Sequence, residues 1–314
     1  MRDNVTGITQ LGNGHINDTF LAEAEGGKYV LQRIHKGMDT GKLRFDHELY
    51  SQVCRDHDWG CPLWIRDIDG EYFFTDENFR NWRCYPYIEG DIPKPPLDWD
   101  MLFSCGQGLA KMHDILSRLP KPPKAVFPSL HDLPRYYNVY RSILQSGNAL
   151  DDKRDEETEQ MIADRIDRYL SCEDKYIAVI HGDAKLSNML FTNGTVTGFI
   201  DYDTVMTGSV TGEIADCIRS ACVTEGSFDK NAAGTLISGY LSGSPGHNTS
   251  AGDTDSFIRN IYSSFNKICL ELALRYYTDV ISGGEYFREK YEGYRMKRVR
   301  ELISVCRGID REYR

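Results

Sequence analysis

The stretch "VIHGDAKLSNMLF", residues 179–191, places a histidine, a glycine and an aspartate directly after an apolar run. Asn188 follows Asp183 by five residues, and the chain then becomes apolar again. A second apolar run, "TVTGFID", ends at Asp201. Short apolar runs of this kind predict buried strands, because helices of globular proteins are usually longer. We therefore expect polar side chains to converge where these strands end.

These residue types suit the transfer of a phosphoryl group from a nucleotide. The reaction needs a base that orients an acceptor hydroxyl, and oxygen ligands that hold Mg²⁺ against the phosphates. Mg²⁺ takes a few carboxylate or amide oxygens and fills its remaining positions with phosphate and water. Asp183, Asn188 and Asp201 could supply these parts, although aspartates at strand ends are also common as turn formers.

Composition restricts the class of protein. The 314 residues suggest two domains or lobes, and a hydrophobic content of 40% allows a sizeable core. The 47 acidic and 37 basic residues give a net charge of −10, which argues against a general nucleic-acid binder. We therefore expect no nucleic-acid partner, whereas a local site could still bind an anionic small molecule such as a nucleotide.

Targeting and redox signals favour a cytoplasmic protein. No apolar run reaches the ~18 residues of a membrane-spanning helix, so no membrane association is expected. The N-terminal stretch lacks the apolar segment of a secretory signal. The nine cysteines include no CxxC pair, which fits reduced thiols better than a disulfide framework.

The chain changes character after its first quarter. Before that point, alternating runs predict hairpins, among them "LWIRDIDGEYFFTD" with Asp69-Gly70 at its tip, and "KLRFDHELYSQVCRDH" has helical periodicity. After the proline-rich "IPKPPLD" the pattern is mostly helical, and Asp98 is the predicted cap of the first helix there. These patterns predict a small antiparallel β lobe with one helix, residues 1–84, and a larger mostly helical lobe, residues 85–314.

The two motif segments, "HGDAKLSNMLF" and "GFIDYD", resemble the catalytic and metal-binding segments of the aminoglycoside phosphotransferase and choline kinase superfamily, which is related to protein kinases. Four further strings, "LGNGHINDTF", "YVLQRIH", "IDYDTVMTG" and "ADCIRSA", are similar to its N-acetylhexosamine 1-kinase branch. The resemblance covers both lobes and nearly the whole chain. It implies an α+β, bilobal, protein-kinase-like fold, with ATP and Mg²⁺ as cofactors.

The resemblance also implies roles for single residues. Asp183 resembles the catalytic base, and Asn188 and Asp201 resemble the metal ligands. His181 would brace the catalytic loop. Asp216, in "GEIADCIRS", stands where the superfamily has a structural aspartate.

Nucleotide contacts are expected in the small lobe and in the hinge between the lobes. The resemblance places them at Gly12, Asn13, Gly14, Tyr85, Tyr87 and Ile88. The glycine-containing loop would let its backbone approach phosphates, although a plain hairpin turn would look the same. The backbone of the hinge segment would face adenine.

One position departs from the superfamily pattern. The lysine that anchors phosphates in kinases aligns with Gln32 in "YVLQRIH", and Arg33 follows it. Strand alternation puts Gln32 and Arg33 on opposite faces of the sheet, so both cannot point at ATP. Because glutamine cannot neutralise phosphate charge, no residue is assigned the anchoring role. Glu48, in the predicted helix, resembles the glutamate that would pair with the anchoring lysine, so its role is unassigned as well.

The branch resemblance favours the anomeric hydroxyl of an N-acetylhexosamine as the acceptor. A quaternary amine such as choline would call for an aromatic cage, and an aminoglycoside would call for clustered carboxylates. The acidic residues are spread along the predicted helices, which disfavours an aminoglycoside. Choline, aminoglycosides and similar acceptors of the superfamily stay open as alternatives.

Other classes of protein remain as alternatives. The string "FIDYDTV" matches the D-x-D motif of haloacid-dehalogenase-type phosphatases, in which Asp201 would attack phosphate and Asp203 would act as acid. That fold needs further parallel strands after the motif. A non-catalytic kinase-like module is suggested by Gln32. A zinc site is a further alternative, although no common zinc finger has the spacing of His47, Cys54, His57 and Cys61.

Overall fold

Two lobes follow each other along the chain in the computed structural model, which describes residues 4–11, 17–171, 174–244 and 251–312. The small lobe contains β1 (Val5–Gln10), β2 (Asp18–Ala24), β3 (Gly27–Arg33), α1 (Thr40–Asp56), β4 (Phe74–Thr75) and β5 (Asn81–Pro86). The large lobe contains α2 (Trp99–Ser117), α3 (Leu133–Gln145), α4 (Glu156–Leu170), β6 (Ile177–Ile180), β7 (Met189–Thr192), β8 (Thr195–Phe199), β9 (Met206–Ser209), α5 (Val210–Ala221), β10 (Val223–Thr224), β11 (Ser227–Phe228), α6 (Lys230–Gly243), α7 (Ala251–Ile281) and α8 (Tyr294–Glu312). This is the α+β, bilobal arrangement expected from the sequence.

The small-lobe sheet has the strand order β1-β2-β3-β5-β4, and its neighbouring strands are antiparallel. The predicted hairpin around Asp69-Gly70 is wrong, because the carboxylate of Asp67 accepts the backbone N–H groups of Asp69 and Glu71 and closes a turn without paired strands. The last strand, β5, extends to Pro86, slightly past the predicted lobe boundary at residue 84.

Helix α1 packs against both lobes. Asp39 caps it by accepting the N–H of Lys42. Leu43 in its first half belongs to the core under the small-lobe sheet. Tyr50 and Val53, further along, belong to the core of the large lobe. The helix is therefore shared by two hydrophobic cores.

Most of the large lobe is helical, as predicted. Asp98 accepts the N–H of Met101 at the start of α2, which confirms the predicted cap. One difference is the small hairpin of β10 and β11, a strand pair in a region whose pattern predicted helix. No helix in the described ranges is long and apolar enough to cross a membrane. The eight cysteines that the described residues include are free thiols.

Two short antiparallel strand pairs position the polar motif. Strand β6 pairs with β9, and β7 pairs with β8, so the segments that leave β6 and β8 lie side by side. Gly182, just after β6, has φ +86°, a left-handed conformation that favours glycine. A Cβ at this position would lie 2.3 Å from the backbone oxygen of Thr204. The loop after β6 thus packs directly against the backbone after β8.

This contact predicts a specific loss of stability. We expect Gly182→Ala to lower the free energy of unfolding by about 1–2 kcal/mol for the left-handed backbone and a further ~1–3 kcal/mol for the contact with Thr204. Gly70→Ala is the matched control, because Gly70 has φ +84° with no atom within 4 Å of the new Cβ. Urea denaturation of both variants measures the difference. Equal losses of unfolding free energy in the two variants would show that the contact with Thr204 does not contribute.

Candidate active site

Asp183 lies in the loop after β6, and two donors orient its carboxylate. The Nζ of Lys185 lies 2.6 Å from Oδ2, and the Nδ2 of Asn188 donates to the same oxygen at 3.0 Å. Both contacts use Oδ2, so Oδ1 is the oxygen that an acceptor hydroxyl could approach. The side chain is about one quarter exposed, at 26%, which leaves it accessible to a substrate.

Asn188 joins the two halves of the motif. Its Nδ2 also donates to the backbone oxygen of Asp183 at 2.8 Å. Its own backbone oxygen accepts the N–H of Ile200 at 2.9 Å, directly before Asp201. The structure thus brings the three predicted motif residues together, and the Oδ1 of Asn188 is the atom that could bind a cation.

Asp201 has left-handed backbone angles, φ 65° and ψ 52°. Non-glycine residues in this region are strained, and such residues cluster at functional sites. Burial, together with the negative charges of Asp203 and Asp183, raises the pKa of Asp201 to about 7. Crowded carboxylates of this kind would be stabilised by a bound cation.

The donor set fits Mg²⁺ held jointly with a nucleotide. Within the part of the chain that the structure describes, no group of three or more His, Cys, Asp or Glu side chains could hold a metal ion alone. Mg²⁺ does not require one, because phosphates and water usually complete its coordination. Asp201 and Asn188 are the residues that would hold it.

A buried carboxylate supports the catalytic loop. Glu213 in α5 accepts the backbone N–H groups of His181 and Gly182, and its Oε2 lies 2.6 Å from the Nε2 of His113. Burial raises its pKa, but His113 and the backbone donors outweigh this and hold the pKa of Glu213 below its ordinary value. Sequence reasoning missed Glu213, because the backbone groups that it binds lie 31 and 32 residues away.

His181 is fully buried. Its Nε2 donates to the backbone oxygen of Ile200, and its Nδ1 accepts the N–H of Asp183 at 3.3 Å. Burial lowers the pKa of His181, which favours the neutral ring that this pattern requires. The ring therefore links the catalytic loop to the segment that carries Asp201, in agreement with the expected bracing role.

The position expected for a phosphate-anchoring lysine has internal partners instead. Gln32 lies opposite Thr19 and Arg83 in adjacent strands, and its side chain contacts both. The Nε and Nη2 of Arg83 donate to the Oε1 of Gln32 at 2.8 and 2.6 Å. The guanidinium also forms two bonds, 2.6 and 2.8 Å long, with the carboxylate of Asp203 in the large lobe.

Glu48 lies outside this network. It forms exposed ion pairs with Arg44 and Arg66, and its side chain is 43% exposed. The preceding residue, His47, occupies the buried face of α1, and a step of one residue along a helix turns the side chain toward water. The structure therefore does not bring Glu48 to Gln32.

The structure describes only some of the residues at which nucleotide contacts are expected. Gly12, Asn13 and Gly14 lie outside the described residues. Tyr85 is buried, and the N–H of Tyr87 donates to the backbone oxygen of Lys28, so this N–H is not available to a base. Ile88 lies half-buried in the segment after β5.

A partly enclosed cavity of about 180 Å³ adjoins the catalytic loop. Gly182 and Ala184, on either side of Asp183, form part of its wall, together with residues of β9, α5 and α7. His131 also lines it, with a left-handed φ of 62° and its Nε2 donating to the backbone oxygen of Gly182. A small acceptor molecule could reach the catalytic loop from this cavity.

The carboxylates of the cavity each have a cationic or basic partner. The pairs are Asp174 with Lys267 at 3.4 Å, Asp216 with Arg219 at 2.8 Å, Glu213 with His113 at 2.6 Å, and Glu271 with His131 at 3.4 Å. Burial lowers the pKa of His131, but the carboxylate of Glu271 overcomes this and raises it to about 9. The cavity is therefore close to charge-balanced.

The geometry also bears on two alternatives. A dehalogenase-type fold needs parallel strands around Asp201, whereas β6–β9 and β7–β8 are antiparallel, so that alternative is wrong. In the proposed zinc cluster, the Nε2 of His47 accepts the backbone N–H of Trp64, and its ring stacks on the indole at 4.0 Å. His47 is therefore part of an aromatic core.

Comparisons with known proteins agree with this geometry. Residues 7–247 match the model of the phosphotransferase enzyme family (APH). A homoserine kinase of Phenylobacterium zucineum (strain HLK1) is 25% identical over 236 residues, which cover 73% of this chain and 69% of that protein.

Two solved structures share the fold. An amicoumacin kinase, solved with AMP-PNP and Ca²⁺, aligns with a TM-score of 0.67 and 12% identity, covering 98% of this chain and 88% of that one. Choline kinase from Cryptosporidium parvum Iowa II aligns with a TM-score of 0.66 and 14% identity, covering 98% and 91%. The bilobal kinase-like fold is thereby confirmed, and the chain belongs to the phosphotransferase enzyme family.

Proposed function

We propose that this protein transfers the γ-phosphoryl group of ATP to a hydroxyl of a small neutral polyol. The anomeric hydroxyl of an N-acetylhexosamine is the favoured acceptor. The observation that carries the proposal is the cluster of Asp183, Asn188 and Asp201 beside a charge-balanced cavity. The family supports phosphotransfer, and the cavity supports a small acceptor.

Asp183 would act as the base. Its Oδ2 is held by Lys185 and Asn188, so the carboxylate has a fixed direction and Oδ1 can take the proton of the acceptor hydroxyl. The hydroxyl oxygen then attacks the γ-phosphorus, and ADP leaves. A reducing-end sugar hydroxyl is more acidic than an ordinary alcohol, so a carboxylate can serve as its base once the sugar is positioned.

Lys185 places a cation in contact with the proposed base, 2.6 Å from the Oδ2 of Asp183. Burial disfavours its charge, but Asp183 and Asp201 outweigh this and raise the pKa of Lys185. The ammonium therefore stays charged beside Asp183, where the phosphoryl group would be transferred. Mg²⁺ held by Asp201 and Asn188 would add charge neutralisation at the phosphates. Together these groups would replace the anchoring lysine that β3 lacks.

The acceptor preference follows from the cavity. Because its carboxylates are paired with cationic or basic groups, a polycationic aminoglycoside would find little uncompensated negative charge there. A net-neutral polyol fits this balance. A zwitterionic amino alcohol is the second candidate, supported by the 25% identity to a protein named homoserine kinase.

Product analysis tests the proposal. With Mg²⁺ and ATP, we expect an N-acetylhexosamine to yield a sugar 1-phosphate, seen by phosphorus NMR, and homoserine, choline and an aminoglycoside to react more slowly. Asp183→Asn removes the base and keeps the shape, so turnover should fall by about 10²–10⁴ with little change in the KM for ATP.

Asp167→Asn is the matched control, because this aspartate is exposed on α4. Near-normal turnover of the Asp183→Asn variant would exclude Asp183 as the catalytic base. A product phosphorylated on the 6-hydroxyl would refute the sugar 1-kinase assignment, and so would turnover only with an acceptor other than a sugar. In both cases the assignment as a kinase would still stand. ATP binding without turnover on any acceptor would favour a non-catalytic module.

The metal ligands make a second prediction. We expect Asp201→Ala and Asn188→Ala to raise the Mg²⁺ concentration that gives half-maximal activity. Asp201→Ala should have the larger effect, because it removes a charged ligand and Asn188→Ala a neutral one. Titration of activity with Mg²⁺ measures both. An unchanged requirement in both variants would rule out the metal role.

Gln32 makes a third prediction. From the sequence, Gln32→Ala is expected to cost ~1 kcal/mol in ATP binding, as one lost hydrogen bond. In the structure the side chain holds Arg83, so we expect about 1.5–3 kcal/mol of lost stability, with little change in the KM for ATP. Urea denaturation measures the loss of stability, and steady-state kinetics measure the KM for ATP. Gln52→Ala, at an exposed position, is the control. Unchanged stability with a weakened ATP affinity would restore the phosphate role.

A further inference from the structure

Asp203 connects the two lobes through both of its carboxylate oxygens. Arg83 donates to Oδ1 and Oδ2, and the Nδ2 of Asn17 donates to Oδ2 at 3.0 Å. The side chains of Arg83 and Asp203 are 3% and 5% exposed. These contacts join a carboxylate of the large lobe to two residues of the small lobe.

Asn17 is anchored in the small lobe. It directly precedes β2, and its Oδ1 accepts the N–H of His35, just after β3. The residue is buried. The same amide group therefore binds the end of the central strand of the sheet with its oxygen and Asp203 with its nitrogen.

Asp203 belongs to a short 3₁₀ turn, Tyr202–Thr204, that begins directly after Asp201. The hydroxyl of Tyr202 accepts the indole N–H of Trp59, and the hydroxyl of Thr204 donates to the backbone oxygen of His181. The turn is therefore fixed on each side of Asp203. A displacement of Asp203 would be transmitted to Asp201, two residues earlier.

We propose that Asp203 and Asn17 are positioning residues that set the place of Asp201 relative to the small-lobe sheet. In this proposal the nucleotide would lie between the lobes, and Asp201 would help to hold the metal that neutralises its phosphates. The pair thus aligns the metal ligand with the nucleotide. This inference rests on the proposed function, because it takes Asp201 to be a metal ligand.

Asn17→Asp gives the sharpest test. The variant keeps an oxygen that can accept the N–H of His35. It replaces the Nδ2 donor that faces Asp203 with a carboxylate oxygen, so that two carboxylates face each other. We expect the Mg²⁺ concentration for half-maximal activity to rise about 3- to 10-fold, somewhat below the effect of losing a direct partner of a metal ligand. Excess Mg²⁺ should restore turnover, which it would not do for a generally damaged fold.

The sign of the effect excludes a simple change of net charge. A new negative charge near the metal would by itself strengthen cation binding, so a raised Mg²⁺ requirement reports displacement of Asp201. Asp18→Asn is the control, because Asp18 is adjacent in sequence but pairs with Arg33 on the other face of the sheet. Its Mg²⁺ requirement should equal that of the wild type.

A binding readout separates this inference from the proposed function. The melting temperature is titrated with Mg²⁺ in the presence of AMP-PNP, for the wild type, Asn17→Asp and Asn17→Ala. A Mg²⁺-dependent shift in the wild type that needs more Mg²⁺ in both variants supports the inference. A shift that is equal in all three, or easier to reach in Asn17→Asp, overturns it and leaves the kinase assignment standing. A wild type with no shift and no phosphoryl transfer would refute both.

Discussion

A guanidinium and a carboxylate, those of Arg83 and Asp203, meet where the two lobes touch, and both are almost fully withdrawn from water. Moving two charges out of water costs several kcal/mol per ion. Their mutual attraction offsets this cost only where the geometry is good and the remaining hydrogen bonds are made. Here Gln32 binds the guanidinium, Asn17 binds the carboxylate, and the indole of Trp64 stacks over the guanidinium at 4.5 Å. This pair connects the side chain of Gln32 in the small-lobe sheet with the turn after Asp201.

The fold and the centre of the site could be predicted from the sequence because their signals are local. A short apolar run followed by His181, Asp183 and Asn188 has few structural interpretations, and the change from alternating to helical periodicity separates the lobes. The cap at Asp98 is local in the same sense.

What could not be predicted depends on contacts between distant parts of the chain. Alternation places Arg83 on the same face as Tyr85, but its partner Asp203 is 120 residues away. Glu213 and His131 reach the catalytic loop from helices and loops whose sequence carries no special mark. The turn at Asp69-Gly70 resembled a hairpin because the same residue types serve both.

Apart from the crowded carboxylates around Asp201, the charges near the catalytic loop alternate in sign through the large lobe. Lys185 lies between Asp183 and Asp201, and further pairs continue through Arg219 and His131 to α7. Such alternation keeps each buried ion near a partner and leaves little net field for an acceptor. A polar acceptor must then be recognised by hydrogen bonds and shape.

The sharing of α1 between two cores bears on how the protein folds. Tyr50 stacks on Tyr202 at 4.6 Å, and Trp59 packs beside Phe199, so residues before the hinge complete the interior of the large lobe. Without them, these aromatic rings would face water. The two lobes therefore share part of their hydrophobic interior, and a cut of the chain at the hinge would leave the core of the large lobe incomplete.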